Sequence, residues 1–204
     1  MSPQHKSRHM ERTLHQNINL VELLKPENPI ELDLIEQADF KEGLLWGFPR
    51  YGHPEGKVLY HVKEVLENID KLNLNDAQLR NKLRLVAFAH DTFKHLECKD
   101  RQLRDWSKHH GVIARQFVSK YTDDLSVLNT IEWHDEAYYV WRLEHIYRDL
   151  EASKERFDKL LSNIGDFIQL YYLFFVCDTR TGDKNQAPLK WFERSFSGID
   201  LVKI

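Results

Sequence analysis

The chain has 204 residues, 42% of them hydrophobic and 30% charged, and its 29 basic and 32 acidic residues leave a net charge of −3. That balance excludes a disordered or collagen-like chain, a basic nucleic-acid stripe and a polybasic membrane patch. A chain this long buries roughly 70% of its unfolded surface and predicts one domain that needs no disulfide or structural metal to fold, and its two cysteines, Cys98 and Cys177, are too far apart for a disulfide framework or a zinc ribbon.

Met1 to Gln16 form a polar leader without the apolar core of a signal peptide, and residues 17–204 read as one helical domain. Short helices are predicted at Leu20–Lys25 and Glu31–Phe40. Gly43, Gly47, Pro49, Gly52, Pro54 and Gly56 then mark the one long loop, a candidate mouth for a site. Val58, His61, Val62, Val65, Leu66 and Ile69 make the apolar face of the next helix. Asp76 caps another, with Leu79, Leu83, Val86 and His90 on one stripe. A third core helix is expected from about Asp100 to Tyr121, carrying Leu103, Trp106, His110 and Phe117. A fourth carries Val127, Leu128, Ile131 and His134. Further helices fit Glu136–Leu150, Ser153–Leu161, Ile164–Asp178 and Pro188–Arg194. The expectation is an all-α protein of eight or nine helices without a sheet. The longest apolar run, Leu170–Cys177, is eight residues, far short of the ~20 that span a bilayer, so the expected location is the cytoplasm.

Histidine placement points to chemistry. His61, His90, His110 and His134 lie on the apolar stripes of four successive predicted helices. Each buried imidazole left unpaired costs about 1–3 kcal/mol, and one shared metal centre satisfies all four. Asp91 follows His90 directly, and Asp178 closes the most apolar helix, where a lone carboxylate needs a partner. An Asx turn or a pair with Arg180 is the plainer role for Asp178. Nitrogen and carboxylate donors without thiolate suit Mn, Fe, Co, Ni or Zn. His109 competes with His110, and helical phase with Leu103 and Trp106 favours His110. His5, His9, His15, His53, His95 and His145 read as plain loop or exposed residues, and Asp135 as a helix-start carboxylate.

His61, then His90-Asp91, then Asp178 resembles the H…HD…D pattern of the HD-domain metal-dependent phosphohydrolase superfamily, an all-α bundle. Tyr60-His61-Val62-Lys63-Glu64-Val65-Leu66 is similar to the family's first-histidine helix, and Ala89-His90-Asp91-Thr92-Phe93-Lys94 to its HD-x-x-K stretch. The likeness runs from Gly56 to about Asp183. Thr92 and Phe93 stand where the family usually has small residues. With His110 and His134 the set resembles the binuclear branch, which implies two divalent ions about 3.5–4 Å apart with Asp91 bridging, or one ion if neither histidine binds.

The resemblance implies hydrolysis of a nucleotide or other small phosphate ester by a metal-activated hydroxide. Asp91 and Lys94 would be catalytic, and Lys94 and Arg180 would bind the substrate phosphate. The absence of a Gly-Tyr-Pro signature after the HD pair speaks against cyclic-diguanylate hydrolysis. Tyr138, Tyr139, Trp141 and Arg142 are candidates for stacking a base, with helix packing as the plainer role. The expected partner is a small phosphorylated molecule, with no membrane and no specific nucleic acid; a homo-oligomer is compatible. Two alternatives remain at this point: a di-iron oxygenase that uses the same six ligands, and a non-catalytic helical binding protein.

Overall fold

Side-chain caps set many of the helix starts. Asn19 accepts from the Glu22 amide and opens α1 (Leu20–Leu24), and Asn28, followed by Pro29, accepts from Glu31 and opens α2 (Pro29–Glu36). Gln37 is extended, so the single helix expected over Glu31–Phe40 is instead α2 and a separate α3 (Ala38–Leu45). The computed structural model describes residues 18–50, 54–97 and 105–204. The leader with its three histidines, Gly52, His53, Cys98 and the Asp100–Leu103 start expected for the third core helix lie outside the described residues.

Next come α4 (Val58–Lys71) and α5 (Ala77–Ala89), the latter capped by Asp76, which accepts from both Gln78 and Leu79. The third core helix is shorter than expected. A 3-10 turn occupies Trp106–Lys108, His109 is extended, and α6 runs only His110–Val118. Asp124 caps α7 (Leu125–Trp133), and α8 covers Glu136–Arg142. The predicted Glu136–Leu150 helix breaks there: a π-turn at Leu143–Tyr147 ends in Arg148, whose left-handed φ of 58° stops the helix. Asp149 caps α9 (Leu150–Ile164), longer than the predicted Ser153–Leu161. A 3-10 turn then leads to α10 (Ile168–Thr179), and α11 spans Ala187–Ser195. Every regular element among the described residues is helical, and nine of the α-helices reach eight residues or more.

The core forms around α10. Leu170 through Cys177 are all buried, so this helix is apolar on every side and packs against α4, α5 and α11. Burying each large side chain here, such as Tyr171, Phe174 or Val176, stabilises by about 1.5–3 kcal/mol. The continuous helical stretch Leu150–Thr179 is long and apolar enough, by composition alone, to cross a membrane. Its apolar half is α10, which is occupied by protein contacts on all sides. Cys177 is a free, buried thiol, pushed up in pKa by that burial.

Two glycines allow close approaches that set the site. A Cβ on Gly43 would lie 1.9 Å from the Thr92 carbonyl oxygen, so α3 presses directly on the turn that carries Asp91. A Cβ on Gly111 would lie 2.6 Å from the Glu132 carbonyl oxygen, which brings α6 against the end of α7.

Candidate metal centre

His61 projects from α4, and His90 and His134 occupy the C-caps of α5 and α7. His110 is the first residue of α6 and Asp178 the penultimate residue of α10. These elements converge, and the six residues meet in the interior. Five of them are almost fully buried, and Asp178 has an 18% exposed side chain. The continuous helix behind the phase argument for His110 is absent, yet His110 faces Asp91 and His134. His109 is buried too, against the expectation of a wet face. It caps α6 by accepting from the Gly111 amide and stacks on Trp106.

Two triads form. In the first, His61 Nε2 lies 3.1 Å from His90 Nε2 and 2.9 Å from Asp178 Oδ1, with His90 Nε2 to Asp178 Oδ1 at 3.7 Å. In the second, His110 Nε2 and His134 Nε2 are 3.2 Å apart, and Asp91 Oδ1 is 3.4 and 3.3 Å from them. The other oxygen of Asp91 faces the first triad, 3.6 Å from both His61 Nε2 and His90 Nε2. Asp91 therefore lies between the two clusters, one oxygen to each. Donors bound to one ion at about 2.1 Å would sit about 3.0–3.4 Å apart, which these separations bracket.

The tautomers fit a metal as well. His90 Nδ1 donates to the Ala87 carbonyl at 3.0 Å, His134 Nδ1 to the Ile131 carbonyl at 2.7 Å and His110 Nδ1 to Glu97 Oε2 at 2.8 Å. Each neutral ring then presents a bare Nε2 lone pair to the cluster, the arrangement that orients imidazole ligands. His110 and His134 thus point lone pair at lone pair unless a cation, proton or metal, lies between them. Asp91 Oδ1 is buried and has no well-aligned hydrogen bond. The residues present fit one or two divalent ions.

Charge states agree with that role. Burial holds the His90 imidazole down at about 3, so it is neutral at pH 7. Burial works against ionising Asp91 and Asp178, but Lys94 and Lys184, with nearby imidazoles, hold both carboxyls well below their usual range. Burial also opposes a charged His110, yet hydrogen bonds to Asp91 and Glu97 raise it to about 9.

Lys94 Nζ is 2.6 Å from Asp91 Oδ2, a half-buried ion pair and no solvated lysine. Arg180 is exposed and does not line the cavity beside the triads; Lys184, 2.8 Å from Asp178 Oδ1, holds that corner. The cavity has a volume of about 320 Å³ and is lined by Lys94, Lys184, Asp135, Tyr138, Phe175 and Pro188 among others.

Asp135, Glu97 and Lys184 are the residues that sequence reasoning missed. Asp135 precedes α8, yet its side chain makes no cap hydrogen bond. Its Oδ2 lies 3.4 Å from His110 Nε2 and 3.6 Å from His134 Nε2. The signal was present, since His134-Asp135 repeats His90-Asp91. Nothing local marks Glu97 or Lys184, which reach the cluster through turns. Glu55 Oε1 is 3.8 Å from His61 Nδ1. Tyr139 is partly buried with Arg156 over its ring, whereas Tyr138 faces the cavity. His95 is half-buried beside Phe93, not exposed, and His145 is exposed as expected.

Fold and cluster together define a helical bundle with buried histidine–aspartate groups that could hold metal ions. Residues 58–154 match the family model of the HD domain. HD domains are mostly metal-dependent hydrolases. The matched stretch contains His61, His90, Asp91, His110 and His134; Asp178 is added from α10, beyond it. No curated protein and no solved structure gives a significant match to the chain.

Proposed function

We propose that the protein is a metal-dependent phosphohydrolase acting on a nucleotide or other small phosphate ester, with two divalent ions held by the two triads. The observation that carries this reading is Asp91, whose Oδ2 and Oδ1 face separate pairs of imidazole nitrogens at 3.6 Å and at 3.3–3.4 Å. Bound divalent ions supply Lewis-acid polarisation of a phosphoryl oxygen and lower the pKa of water towards neutrality. The chain's residues provide the rest. Asp91 holds the two positions in register. Lys94 and Lys184, now paired with ligand carboxylates, carry the positive charge at the cavity wall that an anionic substrate oxygen needs. Tyr138, Phe175 and Pro188 give the organic part of the substrate an apolar wall, with the Tyr138 ring 39% exposed.

The test is phosphate release from a panel of nucleotides and small phosphate esters with Mn, Co, Ni, Fe or Zn, run beside Asp91→Ala. Release by the wild type that the variant lacks supports the reading. Equal release from both proteins overturns it, and iron-dependent dioxygen consumption without phosphate release hands the site to the oxygenase alternative.

A further inference from the structure

We propose that Asp135 is a fourth donor to the second metal position, beside Asp91 Oδ1, His110 Nε2 and His134 Nε2. The inference rests on the two-ion reading above and adds a ligand to it. Asp135 Oδ2 stands 3.4 and 3.6 Å from the imidazole nitrogens of His110 and His134, nearly the 3.4 and 3.3 Å of Asp91 Oδ1. Asp91 Oδ1 and Asp135 Oδ2 thus face the same pair of imidazole nitrogens, each at separations that suit donors bonded to one ion at about 2.1 Å.

The local geometry repeats that of Asp91. His90 and His134 both occupy helix C-caps with right-handed backbone, and each ties its Nδ1 to the carbonyl three residues earlier. Each is followed by an aspartate whose side chain turns to the cluster. Asp135 has a ready alternative, the amides that open α8, and does not use it. Among the described residues its partners within 4 Å in ion-pair geometry are three imidazoles and no lysine or arginine. Two of those rings, His110 and His134, spend Nδ1–H on Glu97 and Ile131, so in the neutral form they offer Asp135 lone pairs and no proton. Both rings can therefore turn Nε2 to one shared ion with Asp135 Oδ2 beside them. The third ring, His109, accepts from Gly111 through Nδ1, so its Nε2 carries the proton, 3.9 Å from Asp135 Oδ2. That proton also removes His109 from the ligand set. Tyr171 fixes the corner: its hydroxyl lies 3.0 and 3.1 Å from the Trp133 and His134 carbonyls and accepts from the Ala137 amide.

The experiment titrates Co(II) into metal-free wild type, Asp135→Asn and Asp135→Ser, by calorimetry and by visible absorption. Far-ultraviolet circular dichroism and thermal midpoints without metal identify a folded variant, and Asp135→Ser serves should Asp135→Asn not fold. Two ions in the wild type, with only the second bound tenfold or more weakly in the variants and only its absorption band altered, is the expected result. Two ions bound by a folded variant within twofold of wild type, with both bands unchanged, overturns the assignment of Asp135 while leaving the two-ion reading intact. A single ion in the wild type overturns both.

Discussion

Among the places where the fold buries charged side chains, two are built differently. At the α2–α5 contact, Arg84 donates to both oxygens of Glu31 at 3.0 and 2.9 Å and to the Lys25 carbonyl at 2.9 Å. Glu31 also accepts from the Glu27 amide and the Asn28 side chain. The donors and acceptors there answer one another. At the triads, by contrast, imidazole lone pairs face each other and face carboxylate oxygens, with one Asp91 oxygen lacking a well-aligned donor. A self-satisfied buried pair is a structural joint. Imidazole and carboxylate donors that converge without answering one another are the arrangement that suits cations.

That contrast can be broken experimentally. The largest effect is expected from Asp91→Ala, which should lower metal-dependent phosphate release by about 10³-fold, as expected when a positioned electrostatic group is lost; steady-state phosphate assays check it. Glu31→Ala should do the reverse. It removes the bidentate partner of Arg84, which keeps Glu27 at 3.1 Å, and should cost about 1.5–3 kcal/mol in urea unfolding while leaving turnover per folded molecule unchanged. Next in size, divalent metal at about 100 times its dissociation constant should stabilise the wild type by about 2.7 kcal/mol in the same melts, and Glu31→Ala should keep that increment.

Glu97→Gln should weaken the second ion by about 10-fold or more through His110, leaving the first unchanged in calorimetry. The smallest effect belongs to Glu27, whose carboxyl the Arg80 hydrogen bond holds below its ordinary 4.5. A depressed carboxylate adds stability above its unfolded pKa and loses it as pH falls through the folded value. Glu27→Gln should therefore flatten the loss of stability below pH 4.5, read from melts across that range.

Helical periodicity exposed much of this. His61, His90 and His134 sit on apolar stripes whose phase survives in α4, α5 and α7, and Asp178 ends a helix too apolar to be elsewhere than the centre. Periodicity failed where the backbone leaves the helix. His110 was chosen by phase along a helix that the extended His109 interrupts, and its actual role as first residue of α6 comes from the cap. Glu97 and Lys184 reach the centre through the tertiary path of turns, which spacing along the chain does not encode. Asp135 is legible as a repeat of the His-Asp pair, but the sequence favours a helix-start carboxylate, because aspartates there usually serve as caps.

The position of Asp178 bears on how this protein can be dissected. The stretch matched to the HD domain ends at residue 154, inside α9, while the central pillar α10 and its aspartate follow. A fragment trimmed to the recognised boundaries would keep five of the six converging side chains and lose both the helix they close upon and the sixth. Expression designs and domain swaps should keep α10 and α11 with the recognised module, because the folding unit extends past it.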